Sequence, residues 1–392
     1  MSIIGIVCEY NPFHNGHQYL IDSVKKDGDT VVCVMSGNFV QRSEPAVFIK
    51  EDRVKSALMC GADIVLELPF LYATASAEYF AENAVRILSS FGCDKIAFGT
   101  ENDDIMLLKE AASLLLSDEL DEKIKEKLET GVSYPVARQL AFDEYGIDID
   151  LSQPNTILAV EYLKAIEKNR FDIEPFAVKR VGAGYNELKA DSKYVSAAYI
   201  REAMKDGKDI ISFIPNSAMK NYITAIEKGN YPDTEKYELA FLSVLRQKKN
   251  NDMSDTAYIT ENLESRIKAS INEACNLTEL YSLAKTKRFT HSRIRRAFLA
   301  VCFDVFQKDI DISVPYIRLL GFKETASKIL GNCAKNCELP FVASYSDIKN
   351  LNSESADRVF EFENKSTAFY NLILSNPATC STEMTFMPVK MK

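Results

Sequence analysis

The sequence predicts an α/β protein in which a doubly wound parallel sheet is followed by a mainly helical C-terminal domain. Three observations predict it. Short apolar runs alternate with helix-period segments over the first 100 residues, the first run breaks into a loop bearing glycine and histidine before a helix, and strand signals thin out after residue 210. Alternation of this kind marks parallel βαβ units, whose strands are covered on both faces and read as continuous apolar runs.

The expected strands are Ile3–Cys8, Thr30–Met35, Ile64–Leu68 and Lys95–Gly99, and the expected helices Gly16–Lys26, Lys50–Cys60 and Ser76–Phe91. Residues 103–147 read as helices without strands, and Asn155–Asn169 as a further helix whose first residue, after Pro154, sits where an N-cap belongs. Glu174–Lys179 reads as a strand running into Arg180-Val181-Gly182-Ala183-Gly184-Tyr185, and another helix starts at about Ser196. A first domain therefore covers residues 1–210 and a second, mainly helical one residues 211–392. In the second, helical periods occur at 235–247, 258–271, 277–284, 291–307 and 323–333, while 341–344 and the stretch after Asn376 are ambiguous.

With 392 residues and 46% hydrophobic content, the chain has material for two cores. Glu9 interrupts the first apolar run before it reaches the length of a signal peptide or a span, so a cytoplasmic protein without membrane contact is expected. Nine cysteines without a C-x-x-C pair argue against a disulfide framework, and Cys8, Cys33 and Cys93 read as small buried hydrophobes. Cys333 and Cys337 share a helix face but lack histidine support, so no protein-bound metal is expected. The net charge of −9 is unfavourable for a polyanion partner, yet Lys285, Lys287, Arg288, Arg293, Arg295 and Arg296 fall together without an acidic residue among them.

The densest chemistry lies in Gly5-Ile6-Val7-Cys8-Glu9-Tyr10-Asn11-Pro12-Phe13-His14-Asn15-Gly16-His17, which holds two of the three histidines of the chain. A helix N-terminus at the end of a parallel strand offers unpaired N–H groups and a positive dipole, a natural phosphate site. His14 and His17, three residues apart, share one face and can donate to one polyphosphate, and Gly16 leaves the backbone open to a nucleotide. Two polar histidines capping a surface helix would account for the same pattern.

This loop resembles the HxGH signature of the nucleotidyltransferase superfamily. The longer string, with Met35-Ser36-Gly37-Asn38-Phe39-Val40-Gln41-Arg42, Ala62-Asp63-Ile64-Val65-Leu66-Glu67-Leu68-Pro69 and Tyr316-Ile317-Arg318-Leu319-Leu320-Gly321-Phe322, resembles the bacterial tRNA(Met) cytidine acetate ligase family. The resemblance implies a Rossmann-like nucleotidyltransferase domain that activates acetate with ATP as acetyl-adenylate and acetylates N4 of the wobble cytidine of elongator tRNA(Met). It implies that His14 and His17 are catalytic, stabilising charge on the phosphates; Mg²⁺ is expected on those phosphates, and no protein partner is implied. It further implies ATP contacts along Val7, Cys8, Glu9, Tyr10, Asn11, Pro12, Phe13, His14, Asn15, Gly16, His17, Gln18, Tyr19 and Leu20, and at Gly99, Asn155, Arg180 and Arg201. Asn186 stands where the family usually has histidine after Gly-Ala-Gly-Tyr, which leaves any histidine role there without a carrier.

Three of these also have a plainer explanation: a strand-end turn for Gly99, a helix N-cap for Asn155 and a surface arginine for Arg201. Lys50 and Arg53, at a helix start where the dipole disfavours cations, fit either a ligand or a solvated face. In the basic segment Ile294, Phe298 and Val301 form an apolar face that turns Arg293, Arg295 and Arg296 outward, with Phe289 or His291 available to stack on an unpaired base. Two other readings stay open: a small-molecule adenylyltransferase using the same phosphate loop, and a non-catalytic RNA-binding factor built on an ATP fold.

Overall fold

The structure is a computed structural model and describes residues 1–181, 193–287 and 289–392. Among the described residues ten strands are formed: β1 (Ile3–Cys8), β2 (Thr30–Ser36), β3 (Phe39–Val40), β4 (Glu44–Pro45), β5 (Ile64–Leu68), β6 (Lys95–Thr100), β7 (Glu174–Lys179), β8 (Ile317–Lys323), β9 (Phe341–Val342) and β10 (Val389–Met391). The main sheet runs in the order β10-β8-β5-β2-β1-β6-β7, with β9 also alongside β8, while β3 and β4 form a separate antiparallel pair. From β5 to β7 every neighbouring pair is parallel. Every residue of β2 is buried, which is why its sequence shows no alternation.

The chain winds outward from β1 to β2 and β5, then returns to the other side of β1 as β6 and β7. This reversal opens a crevice outside the carboxyl ends of β1 and β6, where ligands of doubly wound sheets bind. The helices Asn15–Val24, Ala77–Phe91 and Pro154–Asn169 flank it.

The C-terminal half is mainly helical, with helices such as Thr234–Lys248, Leu277–Ala284, His291–Phe303 and Ser327–Asn336 close to the expected periods. It is not strand-free. β8 lies antiparallel against β5 and carries β9 and β10 parallel to itself, so the chain beyond residue 210 returns to extend the sheet. The helix Glu354–Leu372 also lies outside the expected periods. Its inward face mixes Val359, Phe360 and Phe362 with buried Glu363, Ser366, Thr367 and Asn371, which breaks the apolar stripe that periodicity depends on.

Those inward polar groups meet Lys50, and neither role expected for it holds. Lys50 is 3% exposed, and its Nζ lies 2.5 Å from Glu67, 3.0 Å from Glu363 and 2.9 Å from Glu383. Arg318 completes the cluster, 2.9 Å from Glu67 and paired with Glu383. The three carboxylates are spaced as a metal site would be, but the Lys50 ammonium sits among them. Arg53 is fully buried as well, donating to the carbonyls of Phe48, Glu9, Ser36 and Gly37 and so fixing the loops that leave β1 and β2.

Candidate active site

β1 ends at Cys8, and the loop after it turns into the helix Asn15–Val24 with His14 as its N-cap. His14 Nδ1 accepts from Gly16 N at 3.0 Å, and His17 Nδ1 accepts from His14 N at 3.3 Å. The two rings stack with centroids 3.8 Å apart and planes inclined by 26°. Burial, followed by Arg180 and Arg201, lowers the His14 pKa to about 3, and burial, His14 and Arg180 hold His17 well below its usual value. Both imidazoles are therefore neutral near pH 7. Since each Nδ1 accepts, each ring carries its proton on Nε2, and the pair presents two N–H donors without bringing charge.

Gly16 lines the cleft and has a second reason besides the one expected. A Cβ there would lie 2.9 Å from His14 Cε1, so the missing side chain makes room for the His14 ring folded over the helix start.

One cleft of about 1280 Å³ takes in this loop. From the expected ATP run it is lined by Val7, Cys8, Glu9, Tyr10, Asn11, His14, Gly16, His17, Tyr19 and Leu20. Pro12, Phe13, Asn15 and Gln18 do not line it. Phe13 is fully buried, with its N–H donating to Tyr222 Oη, Asn15 Nδ2 donates to the carbonyls of Lys193 and Ser212, and Gln18 bonds Asp22. Phe13 and Asn15 thereby tie the loop to the segments around Lys193, Ser212 and Tyr222.

Gly99, Asn155, Arg180 and Arg201 all reach the cleft. Asn155 is not the N-cap of its helix; Gln153 is, and its side chain makes no cap bond. Asn155 Nδ2 instead donates to Glu101 Oε1 at 2.6 Å, while Glu101 Oε2 accepts from Thr156 N at 2.9 Å and from its hydroxyl at 3.1 Å. Arg180 Nε lies 3.9 Å from the same carboxylate, and a Cβ on Gly99 would meet Arg180 Cγ at 3.4 Å. Arg201 is anchored by a 3.0 Å bond from Nη1 to the Asn11 carbonyl. Its helix, Ala197–Lys205, starts at Ser196, whose hydroxyl accepts from Tyr199 N. Glu101 is the organiser that sequence reasoning passed over; its place directly after a strand-end Gly-Thr was the available signal.

The basic segment divides. Arg295 and Arg296, with His291, line the same cleft as His14 and His17. They are half-buried and not turned outward: Arg295 pairs with Glu44 and lies over the Tyr281 ring, and Arg296 lies over Tyr258. Lys285 and Lys287 are exposed, and Arg288 lies outside the described residues, as do Gly182, Ala183, Gly184, Tyr185 and Asn186. Arg293 lies over Phe289, which is buried beneath it and cannot stack on a base. His291 is exposed.

A Rossmann-like sheet whose switch-point loop offers two neutral histidines at a helix start, faced by two arginines, defines a nucleotidyltransferase of the HxGH class. The family model described as HIGH Nucleotidyl Transferase matches residues 1–384. The chain belongs to the tRNA(Met) cytidine acetate ligase family. It is 36% identical to the Acetivibrio thermocellus protein of that name, over 96% of each chain, and 38% identical to the one from Thermosipho africanus, over 89% of this chain and 86% of that one. Its structure matches that of Thermotoga maritima TmcAL bound with alpha-thio ATP, with a TM-score of 0.91, 31% identity and full coverage of both chains.

Proposed function

We propose that this chain is an ATP-dependent ligase that joins acetate to N4 of the wobble cytidine of elongator tRNA(Met) through acetyl-adenylate. One observation carries the reading: the paired His14 and His17 donors and the arginines Arg295 and Arg296, from opposite halves of the sequence, line one cleft. On this reading a phosphate site and a polyanion-binding helix face one shared space.

In the first step an acetate oxygen attacks the α-phosphorus, forming the mixed anhydride and breaking the bond to pyrophosphate. His14 and His17 donate from Nε2 to the leaving phosphates, and Arg180 and Arg201 offset the charge that two meeting anions bring. In the second, N4 of cytidine attacks the acetyl carbonyl, AMP departs with the anhydride electrons, and N4 loses a proton. Mg²⁺ would arrive on the ATP phosphates, since both oxygens of Glu101 already accept from Asn155 and Thr156 and the buried carboxylate trio is held by Lys50. Among the described residues no helix is long and apolar enough to cross a membrane, and a tRNA substrate places the work in the cytoplasm.

The test incubates the protein with ATP and labelled acetate, with and without methionine tRNA. Acetate-dependent ATP–pyrophosphate exchange without RNA, and transfer of label to a cytidine with it, are the expected results. Exchange that ignores acetate but responds to a phosphorylated metabolite would transfer the site to a small-molecule adenylyltransferase.

A further inference from the structure

We propose that Arg138 and Glu161 form the pocket that reads the base of the acceptor nucleotide, a cytosine, inside the cleft shared by His14 and Arg296. The proposal rests on the ligase reading for the identity of the base. The helix Tyr134–Glu144 supplies Arg138 and the helix Pro154–Asn169 supplies Glu161.

Both side chains line the cleft, and they are only 9% and 7% exposed. They meet at 3.4 Å between Arg138 Nη1 and Glu161 Oε1, a loose contact for a charged pair. Arg138 Nε and Glu161 Oε2 make no hydrogen bond, although Lys164 Nζ lies 3.4 Å from the latter. A buried donor without a partner is costly, and here Arg138 Nε stands beside a buried carboxylate held by Arg138 and Lys164 only at 3.4 Å, in a ligand cleft.

The cleft has room for a second occupant. Its volume of about 1280 Å³ exceeds the roughly 300–1,000 Å³ of ordinary small-molecule sites. Chemistry narrows what that occupant is. A second phosphate would meet the Glu161 carboxylate, and an apolar group would leave Arg138 Nε unsatisfied. The Watson–Crick edge of cytosine supplies an amine for Glu161 and the N3 and O2 acceptors for Arg138. Uracil has a carbonyl oxygen where that amine stands and would face the carboxylate. Arg296, in the same cleft, is placed to take a flanking phosphate, and Arg295 to take another on releasing Glu44.

The test measures binding of two tRNA(Met) transcripts, with C or U at the wobble position, by fluorescence anisotropy. Wild type is expected to prefer C by about tenfold, the discrimination of one good polar base contact, and Glu161→Gln to bring the ratio near one. A wild type that does not discriminate, or a folded Glu161→Gln with an unchanged ratio, overturns the pocket. If Glu161→Gln fails to fold by circular dichroism, Arg138→Lys keeps the charge but loses the planar fork. It is expected to weaken the C transcript more than the U transcript, and equal losses overturn the proposal. Wild-type acetate-dependent exchange is measured beside these, because its absence would overturn the ligase reading without bearing on the C-to-U ratio.

Discussion

Glu101 accepts a 2.6 Å hydrogen bond from the amide of Asn155, and through this contact the end of β6 sets the start of the helix Pro154–Asn169. The same carboxylate accepts from Thr156 N, standing in for the cap that Gln153 does not provide, and faces Arg180. One acidic side chain thus fixes two residues proposed to hold ATP.

Glu101→Ala is expected to raise the KM for ATP in acetate-dependent exchange and to cost about 0.5–2 kcal/mol of stability, the usual effect of removing a cap. Glu101→Gln keeps an acceptor for the helix N–H but loses the charge facing Arg180. It should recover most of the thermal stability while KM stays raised. Equal KM values for Glu101→Gln and wild type would reduce Glu101 to a cap.

The stacked histidines lead to a pH-dependent stability. With a folded pKa of about 3 against an ordinary value near 6.5, His14 stays neutral in the folded chain while the unfolded chain takes up a proton. Stability contributed by the neutral ring is complete above pH 6.5 and falls as pH drops toward 3, by up to about 1.4 kcal/mol per pH unit. His14→Asn keeps a good N-cap and removes the titrating ring. Its urea midpoint should therefore fall less steeply than that of wild type between pH 6.5 and 4.5, while exchange drops roughly 10²–10³-fold without the Nε2 donor. Parallel midpoint curves would mean that His14 titrates normally.

The parallel strands and the phosphate loop were legible because their determinants are local. Val31 to Met35 are apolar without interruption since both faces are covered, and the turn after Cys8 announces itself through its glycine and histidines. β8 was hidden for the opposite reason. Its second residue is Arg318, which no local rule places in a buried strand, and its charge is met by Glu67 and Glu383, 251 and 65 residues away in sequence. Lys50 was misread on the same account, as a surface or ligand cation, because its three carboxylate partners are brought to it only by the assembled sheet, the helix Glu354–Leu372 and the C-terminal segment at Glu383. The roles of Arg138 and Glu161 were likewise invisible until two helices set them side by side.

Lys50→Met should show what the buried cluster contributes. Removing one member leaves carboxylates buried with less compensation, at a cost of about 3–5 kcal/mol near neutral pH. Burial and the neighbouring Glu67 already raise the Glu363 pKa to about 7 against the opposing pull of Lys50, and the substitution removes that pull. A carboxyl with a raised folded pKa favours the folded state below that pKa and loses this stability as pH rises through it. The deficit of Lys50→Met relative to wild type should accordingly shrink from pH 8 to pH 6, read from urea midpoints. A deficit that is constant across this range would place the cost in packing and not in charge.

The last prediction concerns the division of the basic segment into exposed lysines and half-buried arginines. Lys285 and Lys287 are exposed, so the contribution expected of them in a tRNA complex is phosphate neutralisation, which would appear in the salt dependence of binding. Replacing both with glutamine should flatten the slope of log K against log salt by about 0.7–0.9 for each phosphate no longer neutralised. Arg295 is different, because Glu44 already neutralises it across the cleft wall. A tRNA phosphate must displace that carboxylate before it can be counted, so Arg295 adds less to the slope than an unpaired cation would. Glu44→Gln removes the competitor and should tighten tRNA binding at low salt while steepening the slope toward that of one further neutralised phosphate. The two variants move the slope in opposite directions, a pattern that a change in global stability does not produce. Unchanged slopes in both would detach the segment from tRNA and leave the second half of the chain as a support for the sheet.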